Sequence, residues 1–162
     1  MAQKKDNSAV KKGPPVIENR QARYNYEIEE TFEAGIVLQG TEVKSLRLGQ
    51  GNLTEAYAIP QNGELFLLNA RIQPYQNGGA FNHEETRTRK LLFKAAEINK
   101  LSAKIREKRL TLVPIKMYFN KQGKVKVLLG LGRGKKLVDK RESEKKAQAD
   151  REMARALRDA GQ

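Results

Sequence analysis

The chain has 162 residues and a formal net charge of +13, which is one domain's worth of sequence and points to a polyanionic partner, nucleic acid first. It contains no cysteine, which excludes disulfides, zinc–thiolate centres and cysteine nucleophiles. No apolar run approaches the ~18 residues of a membrane span, and the Lys-rich start lacks the apolar core of a signal peptide, so the expectation is a soluble cytoplasmic protein.

The charge divides the chain into three parts: residues 1–17 carry +3, residues 18–132 carry +6 and residues 133–162 carry +4. The first part mixes Lys, Asn, Ser and Gly with Pro14-Pro15 and is predicted to be disordered, with structure beginning near Asn19. Tyr24, Tyr26, Ile28 and Phe32 then share one parity against Asn25, Glu27 and Glu29, the pattern of a half-buried strand. Glu30 interrupts the apolar side, so a bulge or strand end is expected there. Glu33-Ala34-Gly35 reads as a turn into a second, fully buried strand, Ile36-Val37-Leu38. Thr41 to Leu48 predicts a short helix with Val43 and Leu46 inward and Lys44 and Arg47 outward, closed by Gly49 and Gly51.

Leu53–Ile59 and Glu64–Ile72 read as strands joined at Asn62-Gly63, a strong hairpin signal. Gln73 to Glu85, with little to bury, is expected to be a long exposed loop. Arg87–Lys94 predicts a strand. Ile98, Leu101 and Ile105 place a helix over Ala95–Arg109. Leu110–Phe119 and Lys124–Leu131 read as strands around a second hairpin, Asn120 to Gly123; Val125, Val127, Leu129 and Leu131 face one way, Lys124 and Lys126 the other. Six or so short strands with two inserted helices, and no regular βαβ alternation, favour a closed or nearly closed antiparallel barrel.

Beyond the barrel, Arg133 to Arg141 holds five bases and one acid, while Glu142 to Gln162 balances five against five. Asp139 three residues before Glu142 makes a carboxylate version of a capping box. Ala149, Met153, Leu157 and Ala160 give only a thin apolar stripe, so the helix is predicted to be marginal when free and to form on a partner. Gly130 to Gly134 reads as a flexible exit. It is not a P-loop, which needs glycine at Leu129 and Ser or Thr at Lys136, nor a dinucleotide fingerprint, which needs glycine at Lys135.

No nucleophile, metal cluster or cofactor loop emerges, so neither catalytic nor metal-binding residues nor a cofactor are expected. His83, the single histidine, is assigned no role beyond its loop, and Glu27, Glu29, Glu30, Glu33 and Glu42 are read as solvated or base-paired acids rather than a Mg²⁺ site. Three patches combine bases with aromatic or polar residues: Asn19, Arg20, Arg23 and Tyr24; Lys44 and Arg47; and Arg87, Arg89 and Lys90. Such patches neutralise phosphates, and a tyrosine stacks on bases.

Asn19 to Tyr24, Tyr26 to Arg47, Gly63 to Leu67, Arg87 to Leu92, and Gly134-Lys135-Lys136 with Asp139-Lys140-Arg141 resemble, in order, the SsrA-binding (SmpB) family of bacteria across about residues 17 to 160. The resemblance implies an oligonucleotide-binding-fold barrel that binds the tRNA-like part of tmRNA and delivers it to stalled ribosomes without catalysing a reaction. It implies tmRNA contacts at Glu33 and in the region of Leu92 and Lys94. It implies a tail, with Arg133, Lys135, Lys136, Asp139, Lys140 and Arg141, that enters the empty mRNA channel beside the decoding centre. Family members often carry His or Tyr directly before Asp-Lys-Arg where this chain has Val138, so only apolar packing is implied there. The expected species when free is a monomer. The alternatives are a structural ribosomal protein with a basic extension, or an RNA-modifying enzyme.

Overall fold

The computed structural model describes residues 13–135 and 137–160; the predicted disorder before residue 13 lies outside the described residues. Its organising strand is β9 (Val125–Gly134), in which Val125, Val127, Leu129 and Leu131 all point into the interior and are buried. Strict alternation over that length makes one face worth several kcal/mol of burial, at about 2 kcal/mol for each large apolar side chain. On one side β9 pairs with β2 (Tyr26–Ile36) and on the other with β8 (Thr111–Phe119), both antiparallel. From β8 the sheet continues through β4 (Tyr57–Gln61), β5 (Glu64–Leu68) and β7 (Arg89–Leu92) back to β2, so six strands close into a barrel. Leu65, Leu67, Leu91, Leu112 and Met117 join the β9 side chains in one core.

Both predicted hairpins form. Asn62 and Gly63 take φ of 53° and 77°, the left-handed pair that a tight β4–β5 turn needs. At the β8–β9 turn the Asn120 side-chain oxygen accepts from the backbone of Gln122 and Lys124 at 3.0 and 2.9 Å. The added strand β1 (Ile17–Glu18) pairs with Met117 and Lys116 of β8, so structure starts two residues before Asn19. A two-stranded ribbon, β3 (Gly51–Asn52) with β6 (Arg71–Ile72), lies outside the ring.

Two local readings change here, and a third is met. Tyr24 sits in the short helix α1 (Ala22–Asn25), not in a strand, because Ala22 and Asn25 bond back to the carbonyls of Asn19 and Gln21. Glu33-Ala34-Gly35 is no turn: β2 runs through it, and Gly35 is where the strand faces Lys126 of β9 on one side and Leu92 of β7 on the other. A Cβ there would meet the Leu92 Cβ at 3.4 Å, an ordinary van der Waals distance, so the space beside Gly35 is filled by the Leu92 side chain. The bulge anticipated near Glu30 is present, as a register jump between Ile28 and Glu30.

The glycine-rich exit is also strand. Gly132 lies across from the bulge, and a Cβ on it would fall 2.2 Å from the Glu27 carbonyl oxygen. The chain leaves the sheet only after Gly134, and the Lys135 N–H still donates to the Asn25 carbonyl at 2.8 Å.

Helix α2 (Gly40–Arg47) follows β2, and α3 (Ala95–Lys108) connects β7 to β8 while turning Ile98 and Leu101 into the core. The final helix, α4 (Leu137–Ala160), begins before the predicted capping pair and is continuous for 24 residues, about 36 Å. It contains no proline or glycine to break it, and Gln148 bonds Glu152 and Arg151 on its surface at 3.0 and 2.7 Å. Its apolar stripe is nevertheless uncovered, with Met153 and Leu157 each about two-thirds exposed. Packing therefore adds little to this helix, in keeping with the thin stripe seen in the sequence.

Candidate nucleic-acid interface

The basic patch at Arg87, Arg89 and Lys90 splits by strand parity. Arg89 shares the inward side of β7 with Leu91 and is fully buried, while Lys90 and Leu92 point outward. Inside, Arg89 Nε donates to Glu42 Oε2 at 2.5 Å, and its other nitrogens donate to the carbonyls of Ala70 (2.7 Å) and Glu85 (3.1 Å). Arg87 Nη2 reaches the other oxygen, Glu42 Oε1, at 2.6 Å, and the Gln39 backbone N–H donates to the same oxygen at 2.8 Å. Burial pushes the Glu42 carboxyl upward, but the hydrogen bonds from Arg87 and Gln39 and the charge of Arg89 outweigh it and hold it below the ordinary carboxylate value. Burial lowers Arg89 and Glu42 restores part of that; a guanidinium starting so high stays charged. The cluster ties the first turn of α2 to β7 and to the carbonyls at residues 70 and 85.

The same interior holds His83. Its Nε2–H donates to the Ile72 carbonyl at 2.8 Å, and its Nδ1 accepts from the Thr41 hydroxyl at 2.9 Å. Asn82 brackets Tyr75 with two backbone bonds, 3.0 and 2.7 Å. The predicted exposed loop is thus pinned at its C-terminal half to α2. Asn19 is likewise internal: its amide donates to the carbonyls of Leu53 (3.1 Å) and Pro114 (2.9 Å), and the residue is 7% exposed. As placed, Asn19 and Arg89 offer no side chain to a surface partner. Their donors are spent joining β1 to β8 and the segment after β3, and β7 to α2 and the carbonyls of Ala70 and Glu85.

A groove of about 350 Å³ opens where the ends of β2 and β7 and the start of β9 meet α2, lined by Gly35, Ile36, Leu38, Val43, Leu92, Lys124 and Lys126, and its two lysines make it basic. Leu92 is 53% exposed, an apolar side chain on a charged face. Glu33 lies two residues before Gly35 on the same side of β2, and Tyr118, opposite Lys126 in register, donates its hydroxyl to Glu33 Oε2. Lys116 Nζ stands 5.4 Å over the Tyr118 ring. Partial burial, the Glu33 hydrogen bond and the Glu33 charge push the Tyr118 hydroxyl up to about 12. Arg47 of α2 caps the hairpin end, 5.9 Å over the Phe119 ring, and Lys44 packs 5.5 Å over Tyr75. Lys90 pairs with Glu64 at 3.7 Å, and Lys94 is exposed just before α3.

The remaining predicted residues lie elsewhere. Arg20, Arg23 and Tyr24 line a cleft of about 520 Å³ between α1 and α4, with Glu144 and Arg151 on the far wall. Tyr24 donates to Glu144 Oε2 at 3.3 Å, and desolvation, the Glu144 charge and that bond raise the tyrosine above its ordinary value. Arg133 pairs with Glu29 at 3.4 Å across the end of β9, and Lys135 is half-buried beside it. Asp139, Lys140 and Arg141 fall in the first turns of α4; Lys136 lies outside the described residues. The sequence reading missed Lys116 and Tyr118 altogether. Lys124 and Lys126 were visible as the outward partners of Val125 and Val127, yet only position across from Gly35 and Leu92 makes them part of a groove.

Six antiparallel strands closed on themselves and filled by side chains place the molecule in the class of oligonucleotide-binding-type barrels, here with a basic outer groove and a helical extension. Residues 16–159 match the family described as SmpB protein, and the chain belongs to that family. It is 56% identical over 144 residues to an SsrA-binding protein of Symbiobacterium thermophilum, covering 89% of this chain and 91% of that one. An SsrA-binding protein of Nostoc sp. is 58% identical over 144 residues, 88% of this chain and 92% of its own. Among solved structures, one described as "tmRNA-SmpB: a journey to the center of the bacterial ribosome" superposes with a TM-score of 0.65 at 54% identity, covering 76% of this chain and 86% of the matched one.

Proposed function

We propose that this protein is the RNA-binding adaptor of bacterial ribosome rescue: its barrel binds the tRNA-like domain of tmRNA, and its extension engages the ribosome that tmRNA is delivered to. What supports the reading is the outer groove and the face beside it: Leu92 and Lys126 line the groove, and Glu33 lies next to it on β2, two residues before Gly35, which pairs with both. Glu33 and Leu92 are distant in sequence and both implied in tmRNA contact by the family resemblance. Lysines on this face neutralise phosphates and make affinity fall with salt, while the fixed shape of the groove selects a folded RNA. Asn19 and Arg89 act in this scheme from within, by holding the strands that carry the groove. Arg20, Arg23 and Tyr24 form a second face, turned towards α4. Arg133, Lys135, Lys136, Lys140 and Arg141 supply the cations of the ribosome-contacting segment, with Asp139 among them. The adaptor acts in the cytoplasm, as a monomer when free; it needs no cofactor and performs no bond-making step of its own.

The test is a filter-binding titration of the purified protein against the tRNA-like domain of tmRNA and an RNA duplex of equal length, each at two salt concentrations. Tighter binding to the tRNA-like domain at both salts, with both affinities dropping as salt rises, is the expected result. Equal affinity for the two RNAs, with retention on ribosomes through a high-salt wash, would instead identify a structural ribosomal protein.

A further inference from the structure

On a face built to meet a polyanion, an ionised carboxylate is a liability unless it accepts hydrogen bonds, because it repels phosphate and has no proton to give. Several exposed glutamates of the barrel are neutralised by bases: Glu29 by Arg133, Glu30 by Lys104, Glu64 by Lys90. Glu33 differs. Among the described residues its side-chain partner is a neutral hydroxyl, that of Tyr118, which donates to Oε2. Tyr118 reaches Glu33 diagonally across β9, since Tyr118 pairs with Lys126 and Glu33 with Leu128. Its ring is held from the other side by Lys116.

We propose that Tyr118 is a positioning residue for Glu33, and that the oriented Glu33 carboxylate accepts a hydrogen bond from a donor on the bound nucleotide: a ribose 2′-hydroxyl or the exocyclic amino group of a base. This rests on the RNA-binding reading above. The chemistry follows from the residues: a carboxylate accepts from an amino group or a hydroxyl but cannot bind phosphate. The flanking lysines bring the backbone in, and the carboxylate discriminates among what arrives. A phenol that keeps its proton well above neutral pH holds the same orientation throughout the working range.

The experiment compares parent, Tyr118→Phe, Glu33→Gln and the double variant in binding to the tRNA-like domain, with folding checked by circular dichroism and thermal unfolding. Tyr118→Phe keeps the ring and its lysine contact, and is expected to unfold like the parent yet bind about tenfold more weakly, the size of one hydrogen bond to a charged group. The salt slope should stay as in the parent, because phosphate contacts remain. The double variant should bind no worse than Glu33→Gln alone. A Tyr118→Phe protein with parental affinity, or losses that add in the double variant, overturns the positioning role. RNAs with 2′-deoxy substitutions, and RNAs in which inosine replaces guanine, purine replaces adenine or 2-pyrimidinone replaces cytosine, separate the two donor sources: one of these changes should weaken the parent and leave Glu33→Gln unaffected. If each modification weakens the parent and Glu33→Gln equally, or weakens neither, donor recognition is overturned. A parent that does not prefer the tRNA-like domain at all overturns the functional reading instead, before any variant is compared.

Discussion

Glu42 shows how a single buried acid organises two of the chain's basic residues. It is fully buried, it accepts from Arg87, Arg89 and the Gln39 backbone, and its carboxyl is held below the ordinary value. Because the folded pKa is depressed, the stabilisation is complete above the unfolded value of about 4.3 and is lost as pH falls through the folded value. The parent should therefore lose stability on acidification below about pH 4, and Glu42→Gln should show a shallower loss in that window. At neutral pH Glu42→Gln should cost about 3 kcal/mol or more in urea unfolding, since it strands a buried guanidinium. Parental stability at pH 7 would show that the cluster contributes nothing net. From the sequence, Arg87, Arg89 and Lys90 form a run of like charge, and parity alone distinguishes them: Arg89 falls in phase with Leu91. What parity cannot say is that a carboxylate from a different element waits at that inward position. That pairing is long-range, and so a structural base was read as a surface one.

Elements were legible where alternation is strict and blurred where glycine has two meanings. The β8–β9 hairpin, the β4–β5 turn and α3 can be drawn from spacing and turn chemistry alone. The glycines at 130, 132 and 134 read as a hinge because a run of glycines has the same composition in a linker and in a tightly packed strand. Only the register places Gly132 over the β2 bulge, where backbone meets backbone. Gly132→Ala should therefore destabilise the protein by about 2 kcal/mol or more, as a Cβ cannot be accommodated 2.2 Å from a carbonyl oxygen without moving a strand. Gly134→Ala, with open space around it and no positive φ, is the matched control and should be near neutral. Urea unfolding of the pair decides the matter: equal small effects would mean that the glycines serve chain flexibility after all. The tail helix teaches the converse. Its thin stripe was readable, and the structure leaves that stripe bare, so the sequence reading missed where the helix begins while identifying its apolar deficit.

At the scale of the whole molecule, two basic regions sit on one continuous strand. β9 contributes Lys124's neighbour Lys126 to the groove at one end and Arg133 to the exit at the other, before α4 begins at Leu137. Charge alone drew the boundary between barrel and tail at residue 133, because hydrogen-bond register is invisible in composition. The register pairs Arg133 with Glu27 and Gly134 with Tyr26, so a cut at 133 would remove rungs from the barrel itself. The informative truncation ends at Lys135. It deletes the helix while keeping every strand that carries Glu33, Leu92, Lys126 and Tyr118. If the two regions serve two targets, this protein should bind the tRNA-like domain within about threefold of the full chain, a difference well under 1 kcal/mol, and should fail to support rescue of stalled ribosomes in a reconstituted translation assay. Its salt slope against the tRNA-like domain should match that of the full chain, since the lost cations are assigned to the ribosome and not to tmRNA. A large fall in tmRNA affinity together with a shallower salt slope would mean that tail cations grip tmRNA as well, and the cleft between α1 and α4, with Arg20, Arg23 and Arg151 on its walls, would then be the place where barrel and tail share one RNA.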